Sequence, residues 1–379
     1  MSNLNPKNIP LRFQWNTNYG YCGEVCFITA GLILGQYLSQ YDLREFSHFT
    51  YTNACSIPDI NDPTNTTCKV QGSRKKSQLL LGINDNKVAN ELYFTYERWD
   101  NKDEDTIYFI DWIKKMFSQN NTVIIGVYQN FYFFDGWNDD NIGDSEYDHI
   151  VVVTNITNTN LYINDLGNYA SYLMYIANPN NPAYNQKIYY NSSSYKNINY
   201  VFSIPYPSGI LNRKYTNNNE YLKYTIPLHT KKVGNYGIAI KGLSSFFNNK
   251  IKVPISISVN KNYECPSTID HTEDSPYNIL SNIRPEPISL ILTISISKLV
   301  IGDTYCIYKF NDISKINYSD TNIINTSAAS NNFNLSIDQQ IYKDTSPYFF
   351  TAKDITFVFK DHIMSNEQAI YKCCNTKYV

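Results

Sequence analysis

The chain has 379 residues and a formal net charge of −2; 42% of its residues are hydrophobic, 15% aromatic and only 17% charged. That length exceeds one ordinary core and predicts two domains, with enough apolar material to fill both. The near-zero charge, with no long basic block, argues against electrostatic capture of nucleic acid, and the Asn- and Tyr-rich polarity follows codon composition more than function.

The opening stretch "MSNLNPKNIPLRFQW" has no apolar h-region, so no cleaved signal peptide is expected. A cytoplasmic location follows as the expectation, with unconventional secretion left open. Sequons at Asn65, Asn155 and Asn334 are chance products of an Asn-rich chain. Few residues precede Cys22, so no separate pro-segment is expected. Residues 22–41, "CGEVCFITAGLILGQYLSQY", space Val25, Ile28, Leu32 and Leu38 as one long helix, apolar enough to be buried on most sides. Gly31 and Gly35 would let another element approach its backbone closely. Shorter helical patterns run through 78–92. Residues 103–120 form an amphipathic helix, acidic at its start and carrying Lys114 and Lys115 toward its end, as the helix dipole prefers.

Three strands follow: "TVIIGVYQ" (122–129), "HIVVVTNI" (149–156) and "NLYINDLG" (160–167). The second and third are joined by the turn-forming "TNTN". A long helix followed by a hairpin-rich sheet makes the first domain α+β. Residues 175–222 are rich in Asn, Pro, Ser and Tyr, interrupted by one strand at 199–206. Beyond them, short alternating segments such as "YGIAIKGL", "VPISISVN", "TYCIYKF", "ITFVFKD" and "EQAIYKCC" predict an all-β sandwich. The most apolar stretch, "ISLILTISISKLVI" (288–301), is too short to span a bilayer and reads as a strand. The expected division is therefore an α+β domain at 1–214 and a β-sandwich accessory domain at 215–379. No membrane partner is expected.

The eight cysteines (22, 26, 55, 68, 265, 306, 373 and 374) show no metal-like pairing. With no signal peptide they are read as reduced thiols, and neither a cofactor nor a metal is expected. Cys22 stands where the apolar helix begins, with Gly23 behind it. A helix N-terminus and a nearby imidazolium both favour a thiolate, the nucleophilic form; the plainer reading is an inert buried cysteine. His149 opens its strand, and Asp165 follows after the hairpin turn. Antiparallel pairing would bring both to one end of the sheet. Only one of Asn164 and Asp165 can face His149, because strand neighbours alternate, and a catalytic imidazole needs an acceptor on its second nitrogen. Cys26, one turn past Cys22, reads as core, and Glu24 as a first-turn carboxylate that either caps the helix or lines a cleft. The acidic stretch 135–148 lacks the ligand pattern of an EF-hand and reads as a solvated loop, with Ca²⁺ as the alternative. His229, His271 and His362 read as surface or structural residues.

Together, "YGYCGEV", "YDHIVVV" and "YINDLG" resemble the papain-like cysteine peptidase superfamily, most closely its C39-like branch, over roughly residues 10–170. The resemblance implies a papain-like α+β fold, with Cys22 as nucleophile, His149 as general base and Asp165 as orienting carboxylate. Its oxyanion-hole amide falls on Asn16 where the family has Gln, with Gln14 as the alternative donor. The expected activity is a cysteine hydrolase acting on a peptide or protein substrate. Acyl transfer of the transglutaminase kind and an inactive scaffold acting as a binding protein are the alternatives. The exposed Tyr and Asn of the sandwich would suit carbohydrate or protein contact.

Overall fold

A computed structural model describes residues 9–10, 12, 21–47, 79–100, 106–127, 149–156, 160–165, 170–175, 190–191, 200–203, 221–222, 235–243, 253–261, 264, 287–313, 335–337, 340–342 and 347–378. Among them the chain is α+β and mostly β, with four helices and predominantly antiparallel sheets. The first half supplies α1 (Cys22–Ile33), β1 (Gln36–Tyr37), α2 (Gln40–Phe46), α3 (Asp85–Glu91), β2 (Phe94–Arg98), α4 (Thr106–Ser118), β3 (Thr122–Val127), β4 (His149–Ile156), β5 (Asn160–Asp165), β6 (Ala170–Tyr175), β7 (Tyr190–Asn191) and β8 (Tyr200–Ser203). The second half supplies β9 (Tyr221–Leu222), β10 (Gly237–Leu243), β11 (Ile255–Val259), β12 (Ser289–Ser297), β13 (Thr304–Phe310), β14 (Leu335–Ile337), β15 (Gln340–Tyr342), β16 (Tyr348–Thr351), β17 (Thr356–Met364) and β18 (Ala369–Asn375). No helix among the described residues is long and apolar enough to cross a membrane.

The helix expected over 22–41 is broken. Gly35 adopts φ +78°, a left-handed conformation that costs glycine little and ends helices readily. A Cβ there would also lie 3.0 Å from Ile255. Two residues of strand follow, and Ser39 then caps α2 by accepting the Asp42 N–H at 3.0 Å. The apolar spacing carries no mark of this break except the glycine itself.

The central sheet has the order β2-β10-β3-β4-β5-β6-β8. Ile124, Ile150, Val152 and Ile238 belong to the same core cluster as Val25, Cys26 and Phe27 of α1. On the opposite face, a Cβ added at Gly237 would meet the Trp112 ring at 2.8 Å, so α4 packs there. Helices on both faces explain why the strands read "TVIIGV" and "HIVVV", apolar in both phases rather than alternating.

The remaining large sheets run β1-β18-β13-β16 and β11-β12-β17-β14-β15. They meet through Phe350 and Phe357, stacked with ring centroids 4.0 Å apart, and through Phe359 edge-on to Tyr371 at 5.8 Å. A buried ion pair lies between them. Asp361 accepts from Lys309 and from the Tyr371 hydroxyl, each at 2.6 Å. Burial, and then the neighbouring Asp361 carboxylate, drive the Tyr371 pKa well up.

The sheets do not divide at residue 214. β10, expected in the second domain, lies between β2 and β3 in the central sheet, with Ile238 opposite both Arg98 and Ile124. Conversely, β1 pairs with β18, placing Gln36 opposite Ile370. Each half thus lends a strand to the other half's sheet. Strand character was readable from local pattern, but the pairing partner depends on contacts far apart in sequence.

Candidate active site

The first turn of α1 is held from below by glycine and from the side by charge. A Cβ on Gly23 would fall 2.7 Å from the Leu79 carbonyl and 3.1 Å from Ile150 Cδ1; only a residue without a side chain lets the helix start sit this low on β4. One turn on, the Cys26 thiol donates to the Ile150 carbonyl at 3.5 Å and is fully buried, a core position. Cys22 itself is 8% exposed.

Glu24 neither caps the helix nor lines an open cleft. It is fully buried, and its Oε1 accepts from Arg44 Nε at 2.9 Å and from the Leu79 N–H at 3.1 Å. The Arg44 guanidinium lies 3.4 Å over the ring of Tyr21, itself buried beside Cys22. Burial alone would lower the Arg44 pKa, but Glu24, with smaller contributions from Tyr21 and Cys22, raises it above its ordinary value. Arg44 therefore stays charged and neutralises the buried carboxylate beside the start of α1. The sequence reading did not single it out. Its signal is weak: a basic residue on a short, Ser-capped helix that only the turn at Gly35 folds back beside Glu24.

His149 opens β4 opposite Val127 of β3. Along the β4–β5 ladder Val152 pairs with Asn164. Continued by one residue, this register sets position 165 in phase with Val151 and therefore with position 149, while position 164 is in phase with Ile150 and Val152. Ile150 and Val152 are the β4 residues packed under α1. The side chains of His149, Asn164 and Asp165 lie outside those described. Asn16, Gln14 and the acidic stretch 135–148 lie outside the described residues, as do His229 and His271. His362 is exposed on β17.

Comparison with protein-family models, curated proteins and solved structures finds no match. The chemistry therefore rests on this chain's own residues. Among the described residues no group of three or more His, Cys, Asp or Glu is arranged to hold a metal ion.

Proposed function

We propose that the protein is a cysteine hydrolase of papain-like design, in which a C39-like catalytic unit is joined to a β-sandwich. Cys22 attacks the carbonyl of a peptide or protein amide, His149 takes up the thiol proton and returns it to the leaving amine, and Asp165 orients the imidazole. The amide of Asn16 or Gln14 donates to the oxyanion. The observation that carries the reading is the seating of the Cys22 turn, through Gly23, on Ile150, the residue next to His149. That seating supports a reading in which the thiol at a helix start works with the imidazole at the start of β4. The common phase of positions 149 and 165 supports the carboxylate assignment.

A second reading has its own support. Cys22 is only 8% exposed, as in a scaffold that keeps a papain-like frame without turnover. Labelling by electrophilic peptide probes separates the two. In a hydrolase, Cys22 is modified, Asp165→Ala lowers labelling about tenfold or more, and Asn164→Ala changes it little. An inert scaffold leaves Cys22 unmodified. The reverse ranking of the two strand variants would sink the Asp165 assignment.

A further inference from the structure

Two adjacent turns at one end of the stacked sheets hold large apolar side chains out in solvent. In the turn joining β12 to β13, Val300 and Ile301 are 58% and 64% exposed; beside it, in the turn joining β16 to β17, Ile355 is 59% exposed. The exposure is not slack in the chain. The Leu299 N–H donates to the Ile355 carbonyl at 3.0 Å, Gly302 to Ala352 at 2.8 Å and Ala352 to Asp303 at 2.8 Å, locking the turns together. The Tyr305 hydroxyl accepts the Val300 N–H at 2.9 Å. Lys298 and Gly302 bracket the first turn in left-handed conformations, with φ of +61° and +89°. Leu299, between them, is turned inward and buried. Lys298 carries that backbone conformation despite its side chain, an uncommon arrangement for a residue other than Gly, Asn or Asp. The fold thus fixes two β-branched residues outward while burying the leucine next to them.

Scattered exposed hydrophobics are ordinary, but a contiguous set rimmed by polar groups marks a contact surface. We propose that this tip docks on a lipid bilayer, with Val300, Ile301 and Ile355 entering the headgroup–acyl boundary. Its shape selects the partner. The residues stand on turns, a Cβ built on the neighbouring Gly302 would meet nothing within 4 Å, and three side chains fall far short of the roughly 1,000 Å² that a stable protein interface buries. An interfacial membrane contact needs only a few apolar side chains flanked by cations. Lys298 and Lys353 are exposed at the rim. Asp303 is engaged by Lys377 and Asn375, and exposed Asp354 is the opposing charge. The tip is therefore weakly cationic, and apolar insertion leads while anionic lipid assists. The sequence carries no spanning stretch, and a peripheral contact of this kind needs none.

Co-sedimentation of the full chain with vesicles of phosphatidylcholine containing about one-third phosphatidylserine tests the proposal. The wild type should sediment with them, and Val300→Ser, Ile301→Ser and Ile355→Ser combined should weaken binding about tenfold or more with unchanged thermal unfolding. Lys298→Gln with Lys353→Gln should remove the preference for vesicles containing phosphatidylserine over pure phosphatidylcholine. Failure of the wild type to bind either vesicle overturns the proposal, as does undiminished binding by the triple Ser variant. A wild type that ignores vesicles but self-associates or holds a protein through these three residues shows a protein surface instead, and the proposal fails.

Discussion

At the start of α1, the ion pair between Glu24 and Arg44 does two jobs. It closes a buried charge, with side chains 0% and 5% exposed, and it fixes the turn that carries Cys22. Removing one partner strands the other in a low-dielectric site. Arg44→Met should therefore cost about 3–5 kcal/mol in urea unfolding, and adding Glu24→Gln should recover most of it, because a buried pair replaced together is far less costly than a pair broken. A loss that the double variant does not recover would mean that Arg44 acts by packing on Tyr21 rather than by charge. The carboxylate was legible as a first-turn acid, but its partner was not. The pairing spans twenty residues and depends on a helix break at Gly35 that apolar periodicity does not encode. Cys26 was legible because core spacing alone places it.

Among the strands, β10 shows what pattern reveals and what it hides. "GIAI" is apolar in both phases, as in a strand covered on both faces, whereas "ISISV" in β11 alternates as in a strand with one face in water. The contrast fits a central strand, yet the sequence placed β10 among the sandwich strands, and nothing local named β2 and β3 as its neighbours. The seam between β10 and β2 carries an ion pair: Glu97 accepts from Lys241 at 2.6 Å and from Trp112 Nε1 at 3.2 Å. The hydrogen bond from Lys241 is the chief cause that lowers the Glu97 pKa below the ordinary glutamate range. The ionised form is thus favoured by folding. Its contribution is present above the unfolded pKa and is lost as pH falls through the folded one. Both side chains are about a third exposed, so after solvent screening the contribution is about 0.5 kcal/mol. Glu97→Gln should cost about 0.5 kcal/mol near neutrality and flatten the fall of stability below about pH 4.5. A variant whose acid limb matches the wild type would show that this pair does not report on the seam.

For the whole molecule, the exchange of strands makes the two halves one cooperative body. Arg12 pairs with Glu264 at 3.3 Å while Glu264 also accepts the Gln40 N–H at 2.8 Å, and Tyr37 donates to the Ser365 carbonyl at 3.0 Å. Burial raises the Glu264 pKa despite Arg12. A fragment of residues 1–214 lacks β10, so β2 and β3 lose the neighbour they share and expose unpaired edges. It should be insoluble or unfolded alone, and co-expression with residues 215–379 should restore a folded complex. A fragment that folds with native-like cooperativity would contradict the strand order. Strands were legible by their rhythm; the pairing of strands across residue 214 was not, because local pattern marks a strand without naming the edge it meets.

The central claim, that Cys22 is a nucleophile served by His149, is tested most directly by competitive alkylation of the folded chain with iodoacetamide near pH 6, read by mass mapping. Cys306 is the internal control. Hydrogen bonding with Cys374 draws its pKa down to about 7, yet it is 1% exposed, so it tests whether ionisation without access suffices for labelling. The account predicts that Cys22 labels at least about tenfold faster than any other thiol and that His149→Ala removes the advantage. Uniform labelling of all the thiols, or a Cys22 rate untouched by His149→Ala, would contradict it.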